Sequence, residues 1–142
     1  MNCLLETIEH DDEGIGGFVT FGNWQTVLLN YLPRLSPDAV MDMQRHTETD
    51  EVFILLMGHA ILFLAEGDEG PEGQLQAKAL ELGKLYRVPK GVWHTQVLTQ
   101  NAKIALVENR NTVAQNSPRS PLNDAQRGQL KELARQLWAC AL

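Results

Sequence analysis

Two segments of the chain place histidine beside other residues that bind metals. Residues 44–58 read QRHTETDEVFILLMG and contain His46 and Glu51 ahead of an apolar run that ends in glycine. Residues 83–98 read GKLYRVPKGVWHTQVL and contain His94. Two neutral imidazoles and one carboxylate on rigid strands suit Fe(II), Mn(II), Ni(II) or Zn(II) and leave positions open for substrate or water. The alternative is a folded hairpin with polar residues at its mouth.

Alternation of side chains along the strands adds candidates for a pocket around these residues. Residues two positions apart on a strand share a face, so Gln44 lies on the same face as His46. The expected lining of the pocket comprises Phe53, Gln96 and Glu108. Glu108 ends the last predicted strand, where it would serve as an acid or a base, and the alternative is a surface carboxylate.

Most of the chain has the pattern of short strands separated by turn residues, which predicts an antiparallel sandwich or barrel. Strands are expected at residues 4–8, 25–32, 39–43, 52–57, 60–65, 76–82, 85–88, 94–98 and 103–108. Gly58 supplies the positive φ of a tight turn between two of them. The glycines of residues 14–17 are interpreted as a turn, and the acidic, glycine-rich residues 66–74 as a mobile loop that only connects strands.

The composition changes after the last predicted strand. Residues 110–122 contain prolines and small polar residues, which predicts an irregular linker on the surface. A helix is expected over about 123–140, because Asn123 is a good N-cap with Gln126 three positions on and leucines recur along one face. We expect this helix to cover an open side of the sheet or to pack across a dimer interface.

Length and charge limit the classes of function. A chain of 142 residues with 44% apolar residues is the size of one domain, with the barrel over about residues 20–110. A net charge of -6 provides no basic surface for nucleic acid or for an acidic membrane. No apolar run reaches transmembrane length and the N-terminus lacks a signal-peptide pattern, so we expect a soluble cytoplasmic protein in which Cys3 and Cys140 are free thiols.

The two histidine segments resemble the two motifs of the cupin superfamily. The first motif, HxHxxxxExxxxxxG, matches residues 44–58 at His46, Glu51 and Gly58. The second, GxxxxxPxGxxHxxxN, matches residues 83–98 at Gly83, Pro89, Gly91 and His94. Gln44 replaces the first histidine of the first motif, and Leu98 replaces the asparagine of the second. The resemblance implies an all-β double-stranded β-helix, or jelly-roll barrel, closed by a C-terminal helix.

The resemblance also implies a site and a range of functions. His46, Glu51 and His94 would bind a divalent transition metal, Mn, Fe, Ni or Zn, with Gln44 as a weaker fourth ligand or as a group behind the ligands. An amide oxygen is a poorer donor than imidazole to borderline metals, so the preference moves toward Mn(II). Two functions stay open: an isomerase, lyase or dioxygenase acting on a small oxygen-rich metabolite, or a non-catalytic cupin that binds a small ligand. In either case we expect a homodimer.

Overall fold

The computed structural model describes residues 3–141, which form two five-stranded antiparallel sheets and one C-terminal helix. The first sheet has the strand order β1-β2-β9-β4-β7 and the second β10-β3-β8-β5-β6. The strands are β1 Gly14–Phe21, β2 Trp24–Asn30, β3 Asp42–Gln44, β4 Glu51–Met57, β5 Ala60–Glu66, β6 Glu72–Ala79, β7 Tyr86–Val88, β8 Trp93–Leu98, β9 Lys103–Asn109 and β10 Arg119–Pro121. Helix α1 is Asp124–Ala139, and 3-10 turns lie at Pro33–Leu35 and Ala114–Asn116. The predicted fold class is confirmed.

The apolar residues form two cores, one on each side of the second sheet. Strand β5 shows this directly, because Ala60 and Leu62 pack in the core between the sheets, whereas Ile61 and Phe63 pack in the core beneath the helix. A strand buried on both faces has no polar alternation, which explains its nearly continuous apolar sequence. The molecule therefore has three layers: sheet, sheet and helix.

Helix α1 begins as the sequence predicts. Asn123 Oδ1 accepts a hydrogen bond from Gln126 N at 2.8 Å, and Gln126 Oε1 accepts one from Asn123 N at 3.1 Å, which forms a capping box. Leu130 and Ala134 are buried against the second sheet. Of the two expected positions for the helix, the structure shows the one that covers a sheet. Within residues 3–141 no helix is long and apolar enough to cross a membrane.

The N-terminal part of the chain differs from the prediction. Residues 4–8 form no strand, and Leu4 and Leu5 are exposed because no described strand pairs with this segment. The glycines interpreted as a turn instead open strand β1, which pairs with β2 and carries a bulge between Gly16 and Val19. The ring of His10 lies where a Cβ on Gly16 would be, so a side chain at this position would have to displace the ring.

Two segments expected to be irregular have defined contacts. The predicted linker over residues 110–122 contains a 3-10 turn and strand β10, which pairs with β3 through Ser120 and Met43. The acidic segment after β5 is held at its start, where the carbonyl of Gly67 accepts a hydrogen bond from Trp93 Nε1 at 3.0 Å, and its last residues belong to β6. The prolines and small residues of residues 110–122 gave no strand pattern, so β10 was not predicted. The contact of the acidic segment with Trp93 was not predictable because Trp93 is distant in sequence.

Candidate metal centre

Three strands bring the motif residues together. Strand β3 lies beside β8 with Gln44 opposite His94, so the residues just after β3 reach the start of β8. Glu51 is the first residue of β4, in the other sheet, where it pairs with Val88. Gly91 N donates a hydrogen bond to the carbonyl of His46 at 2.8 Å, which ties the turn before β8 to the start of the first motif. The two motifs therefore meet at one end of the space between the sheets.

The side chains of His46, Glu51 and His94 converge on one point. Nε2 of His46 and Nε2 of His94 each lie 3.0 Å from the same carboxylate oxygen, Oε2 of Glu51. One donor atom from each residue lies within 4.8 Å of the others. All three residues are buried, so the cluster sits at the base of the cavity rather than on the surface.

The cluster lines a cavity of about 480 Å³ that also contains most of the other predicted pocket residues. Gln44, Gln96 and Glu108 line it. Phe53 does not: its ring lies in the core behind His94, with the two ring centroids 6.0 Å apart and the planes at 81°. Alternation put Phe53 on the correct inner face, but Phe53 lies one step deeper than Glu51, below the histidine.

Comparison with known proteins agrees with this architecture. No family model matches the sequence, and no curated protein matches it. The chain is similar to Pac13 of Streptomyces, solved with uridine, at a TM-score of 0.57 and 11% identity over 86% of this chain and 93% of that one. The chain is also similar to protein NMB1881 from Neisseria meningitidis, with a TM-score of 0.50 and 18% identity over 73% of this chain and 98% of that one. For a cupin-2 domain protein from Shewanella frigidimarina, the TM-score is 0.48 and the identity 24%, over 65% of this chain and 76% of that one. The chain has the cupin fold.

Hydrogen bonds behind His46 and His94 direct their Nε2 atoms inward. His94 Nδ1 lies 2.9 Å from the carbonyl of Val92, which can only accept, so Nδ1 carries a proton. His46 Nδ1 lies 2.7 Å from Ser117 Oγ, and Ser117 Oγ donates to Asn116 Oδ1 at 3.3 Å. The serine oxygen is therefore the acceptor for His46. With both Nδ1 atoms protonated, a metal that displaces the Nε2 protons shared with Glu51 would meet two Nε2 lone pairs and a carboxylate, so the donor set fits a divalent ion.

The electrostatics of the cluster favour a charged carboxylate. Burial would raise the pKa of Glu51, but hydrogen bonds from His46 and His94 outweigh it and lower the pKa to about 2. Burial opposes the charged imidazole of His46, whereas the hydrogen bond and charge of Glu51 raise its pKa overall. A proton on His46 thus balances the buried carboxylate, and a bound cation would take over that role.

Glu108 is a second carboxyl group in the same cavity. Its Oε1 accepts a hydrogen bond from Gln25 Nε2 at 2.9 Å, across the register that pairs Gln25 with Glu108 in β2 and β9. Burial, followed by the negative charge of Glu51, raises the pKa of Glu108. The two carboxyl groups therefore have opposite pKa shifts, and perturbed pKa values of this kind cluster at functional sites.

Several residues of the cavity were not predicted from the sequence. Ser117 lies in the segment interpreted as a linker, and no pattern marked it as a partner of His46. Gln25 required knowledge of the β2–β9 pairing, and Arg34 and Arg119 reach the cavity from a 3-10 turn and from the unpredicted β10. The only available signal was the clustering of Ser117 and Arg119 around a proline, which also fits a surface turn.

The remaining polar residues of the first motif lie outside the cluster. Glu48 and Asp50 are exposed, as expected for residues at the rim. Glu48 Oε2 accepts a hydrogen bond from Asn116 Nδ2 at 2.6 Å, and Asp50 Oδ1 accepts one from Lys90 N at 2.9 Å. They hold neighbouring loops and do not point their carboxylates at the donor atoms of the cluster.

Proposed function

We propose that this cupin binds a divalent transition metal and acts as an isomerase, lyase or dioxygenase on a small oxygen-rich metabolite. The observation that carries the proposal is the convergence of two histidine Nε2 atoms on one oxygen of Glu51, at the base of a cavity of about 480 Å³. Cavities of this size accommodate small metabolites. The ligands would be His46, Glu51 and His94, and the metal would be Mn, Fe, Ni or Zn.

The cavity supplies the other groups that such a reaction needs. A bound divalent ion acts as a Lewis acid that polarises a substrate oxygen. The hydrogen bond from Gln25 orients the carboxyl group of Glu108, which would exchange a proton with the substrate. A positioned proton-transfer group favours isomerase or lyase chemistry over dioxygenase chemistry.

Gln44 bears on the identity of the metal. It lies opposite His94 in the β3–β8 register and lines the cavity. Its amide oxygen would serve as a fourth, weaker ligand or bind a water next to the ion. Because hard oxygen donors suit Mn(II) better than softer ions, this residue supports a preference for Mn(II).

The alternative function is a cupin that binds a small ligand without turnover. Two observations favour it. Gln44 stands where an imidazole would bind the metal, which weakens metal binding. Glu51 already accepts hydrogen bonds from both histidines. A satisfied carboxylate tolerates burial without a metal. Turnover of a ligand by metal-loaded protein would decide against this alternative.

Metal binding can be tested directly on the purified chain. Protein stripped with a chelator is reloaded with Mn(II), Fe(II), Ni(II) or Zn(II) under anaerobic conditions, and bound metal is measured by elemental analysis. We expect one ion per chain and, at a hundredfold excess over Kd, a gain of about 2.7 kcal/mol in the free energy of unfolding. His94→Ala should abolish binding, whereas His59→Ala, at a hairpin outside the cluster, should not. Stoichiometric binding by His94→Ala would refute the site.

A further inference from the structure

Two arginines line the cavity, and they differ in whether their charge is neutralised. Arg119 of β10 donates from Nη1 to Asp42 Oδ1 at 2.8 Å, so a carboxylate on the neighbouring strand already balances it. Arg34 lies on the 3-10 turn Pro33–Leu35. Within residues 3–141 its guanidinium has no ion-pair partner and no side-chain hydrogen bond. One positive charge at the cavity is therefore available for a ligand.

The backbone that carries Arg34 is fixed. Pro33 begins the turn with a restricted φ, and Leu35 is buried at 2% exposure in the core between the sheets. Leu35 N donates to the carbonyl of Leu32 at 2.8 Å, and Ser36 N donates to that of Pro33 at 3.2 Å. The guanidinium thus extends from an anchored base, which lowers the entropy lost when it binds a ligand.

The rest of the cavity wall indicates what an anionic ligand would look like. Leu29, Leu35 and Leu106 provide apolar surface, whereas Thr95 and Gln96 provide polar groups. A guanidinium presents a planar fork that matches a carboxylate or phosphate with two parallel hydrogen bonds. A ligand with an acidic group at Arg34 and an uncharged body along the leucines would use both features.

We propose that Arg34 selects substrates that carry a carboxylate or a phosphate. This inference rests on the proposed function for the assumption that the cavity holds the substrate, and it narrows the oxygen-rich metabolites to organic acids or phosphate esters. Cationic compounds are disfavoured because the guanidinium would repel them, and neutral sugars gain no charge-assisted hydrogen bond from it.

The test uses probe compounds and metal-free protein, so that binding of the anion to a metal cannot contribute. Wild type is titrated by calorimetry with 3-phenylpropionate, with phenyl phosphate and with the neutral 3-phenylpropionamide. We expect at least one anion to bind about tenfold or more tightly than the amide. Arg34→Gln should remove this difference, whereas Arg110→Gln, an exposed arginine outside the cavity, should preserve it. The preferred anion distinguishes a carboxylate from a phosphate site.

The outcomes separate this inference from the metal proposal. Equal binding of anion and amide, no binding of either anion, or an unchanged preference in Arg34→Gln would overturn the inference about Arg34. An Arg34-dependent preference in a chain that binds no metal would support this inference while refuting the metal site. Normal metal loading with no preference for anions would do the reverse.

Discussion

The proton on His46 depends on a residue outside the barrel motifs. Ser117 Oγ can accept from His46 Nδ1 because its own proton goes to Asn116 Oδ1. The orientation of that amide is fixed in turn, since Asn116 Oδ1 also accepts from Val113 N at 2.9 Å and its Nδ2 donates to Glu48 Oε2. A chain of hydrogen bonds in the segment after the barrel therefore sets the tautomer of one predicted ligand.

Removing the serine hydroxyl should weaken metal binding. Ser117→Ala leaves His46 free to place its proton on Nε2, and loss of such a partner typically costs about 10–100-fold in metal affinity. Ser117→Thr keeps the hydroxyl and should retain affinity within about threefold. The measurement is a calorimetric Kd for Mn(II) or Zn(II), with ¹⁵N chemical shifts of the ring reporting the tautomer. Ser120→Ala in the same segment is the control, and equal losses in both alanine variants would contradict the positioning role.

The stability of metal-free protein should depend on pH through His46. Glu51, Glu108 and Arg119 act on it from three strands; burial opposes its charge, but Glu51 raises its pKa above 6.5. A pKa raised on folding stabilises the folded state below the unfolded pKa, and this stabilisation is lost as pH rises through the folded pKa. The free energy of unfolding in urea should therefore fall as pH rises above 6.5. His46→Gln should flatten the profile, and His59→Gln should leave it unchanged.

Among single residues, the sequence predicted the positions that rigid strands determine. Gln44 and Glu108 line the cavity because side chains alternate between the two faces of a strand. Phe53 was placed wrongly because alternation gives a face but not a depth. Ser117 and Arg34 could not be predicted, since each reaches the cavity from a turn whose direction depends on contacts distant in sequence.

Turns between strands depend on glycine for two separate reasons. Gly58 has φ of 72° and Gly83 has φ of 79°, the left-handed region in which a side chain is strained. A Cβ on Gly58 would also lie 2.5 Å from Ala102 Cα, whereas a Cβ on Gly83 would meet nothing within 4 Å. Substitution of Gly83 therefore tests backbone strain alone, whereas substitution of Gly58 tests backbone strain together with steric overlap.

Alanine at these two turns should have different costs. Gly83→Ala carries only the left-handed strain, about 1 kcal/mol. Gly58→Ala adds overlap with backbone atoms that cannot move aside, which brings the loss to about 3 kcal/mol. Chemical denaturation of both variants measures the difference. Similar losses would mean that the chain near Ala102 relaxes more easily than the contact implies.

The helix cap can be tested in the same way. Asn123→Ala removes the acceptor for Gln126 N and should lower the free energy of unfolding by about 1 kcal/mol. Asn123→Asp retains an acceptor and should be nearly neutral. Thermal or urea unfolding compares the two, and a loss of similar size in both variants would indicate packing rather than capping.

The sequence predicted the helix well because capping and helical periodicity are local. It missed strand β1 because the glycines of β1 form an edge strand only when β2 is beside them.

The three layers leave the two sheets unequal. Helix α1 covers the outer face of the second sheet, whereas the outer face of the first sheet has no described helix over it. Along β2, Val27 and Leu29 point into the core, so Trp24 and Leu28 point outward. Phe21 and Trp24 contact each other there with ring centroids 6.3 Å apart, and Phe21 is 73% exposed. Exposed aromatic side chains of this kind are typical of contacts between subunits.

A second copy of the chain is the partner that we expect on this face. Two chains of net charge -6 repel each other, so a stable contact needs apolar surface to offset the repulsion, and the exposed rings of Phe21 and Trp24 provide it. Sedimentation velocity over a range of concentrations should show a dimer, and Phe21→Glu should weaken it about tenfold or more, because it would bury an unpaired charge. Leu82→Glu is the control: Leu82 is 64% exposed and lies in the segment between β6 and β7, so this substitution should leave the dimer intact. A wild-type monomer at all concentrations, or equal effects of the two variants, would exclude a dimer through this face.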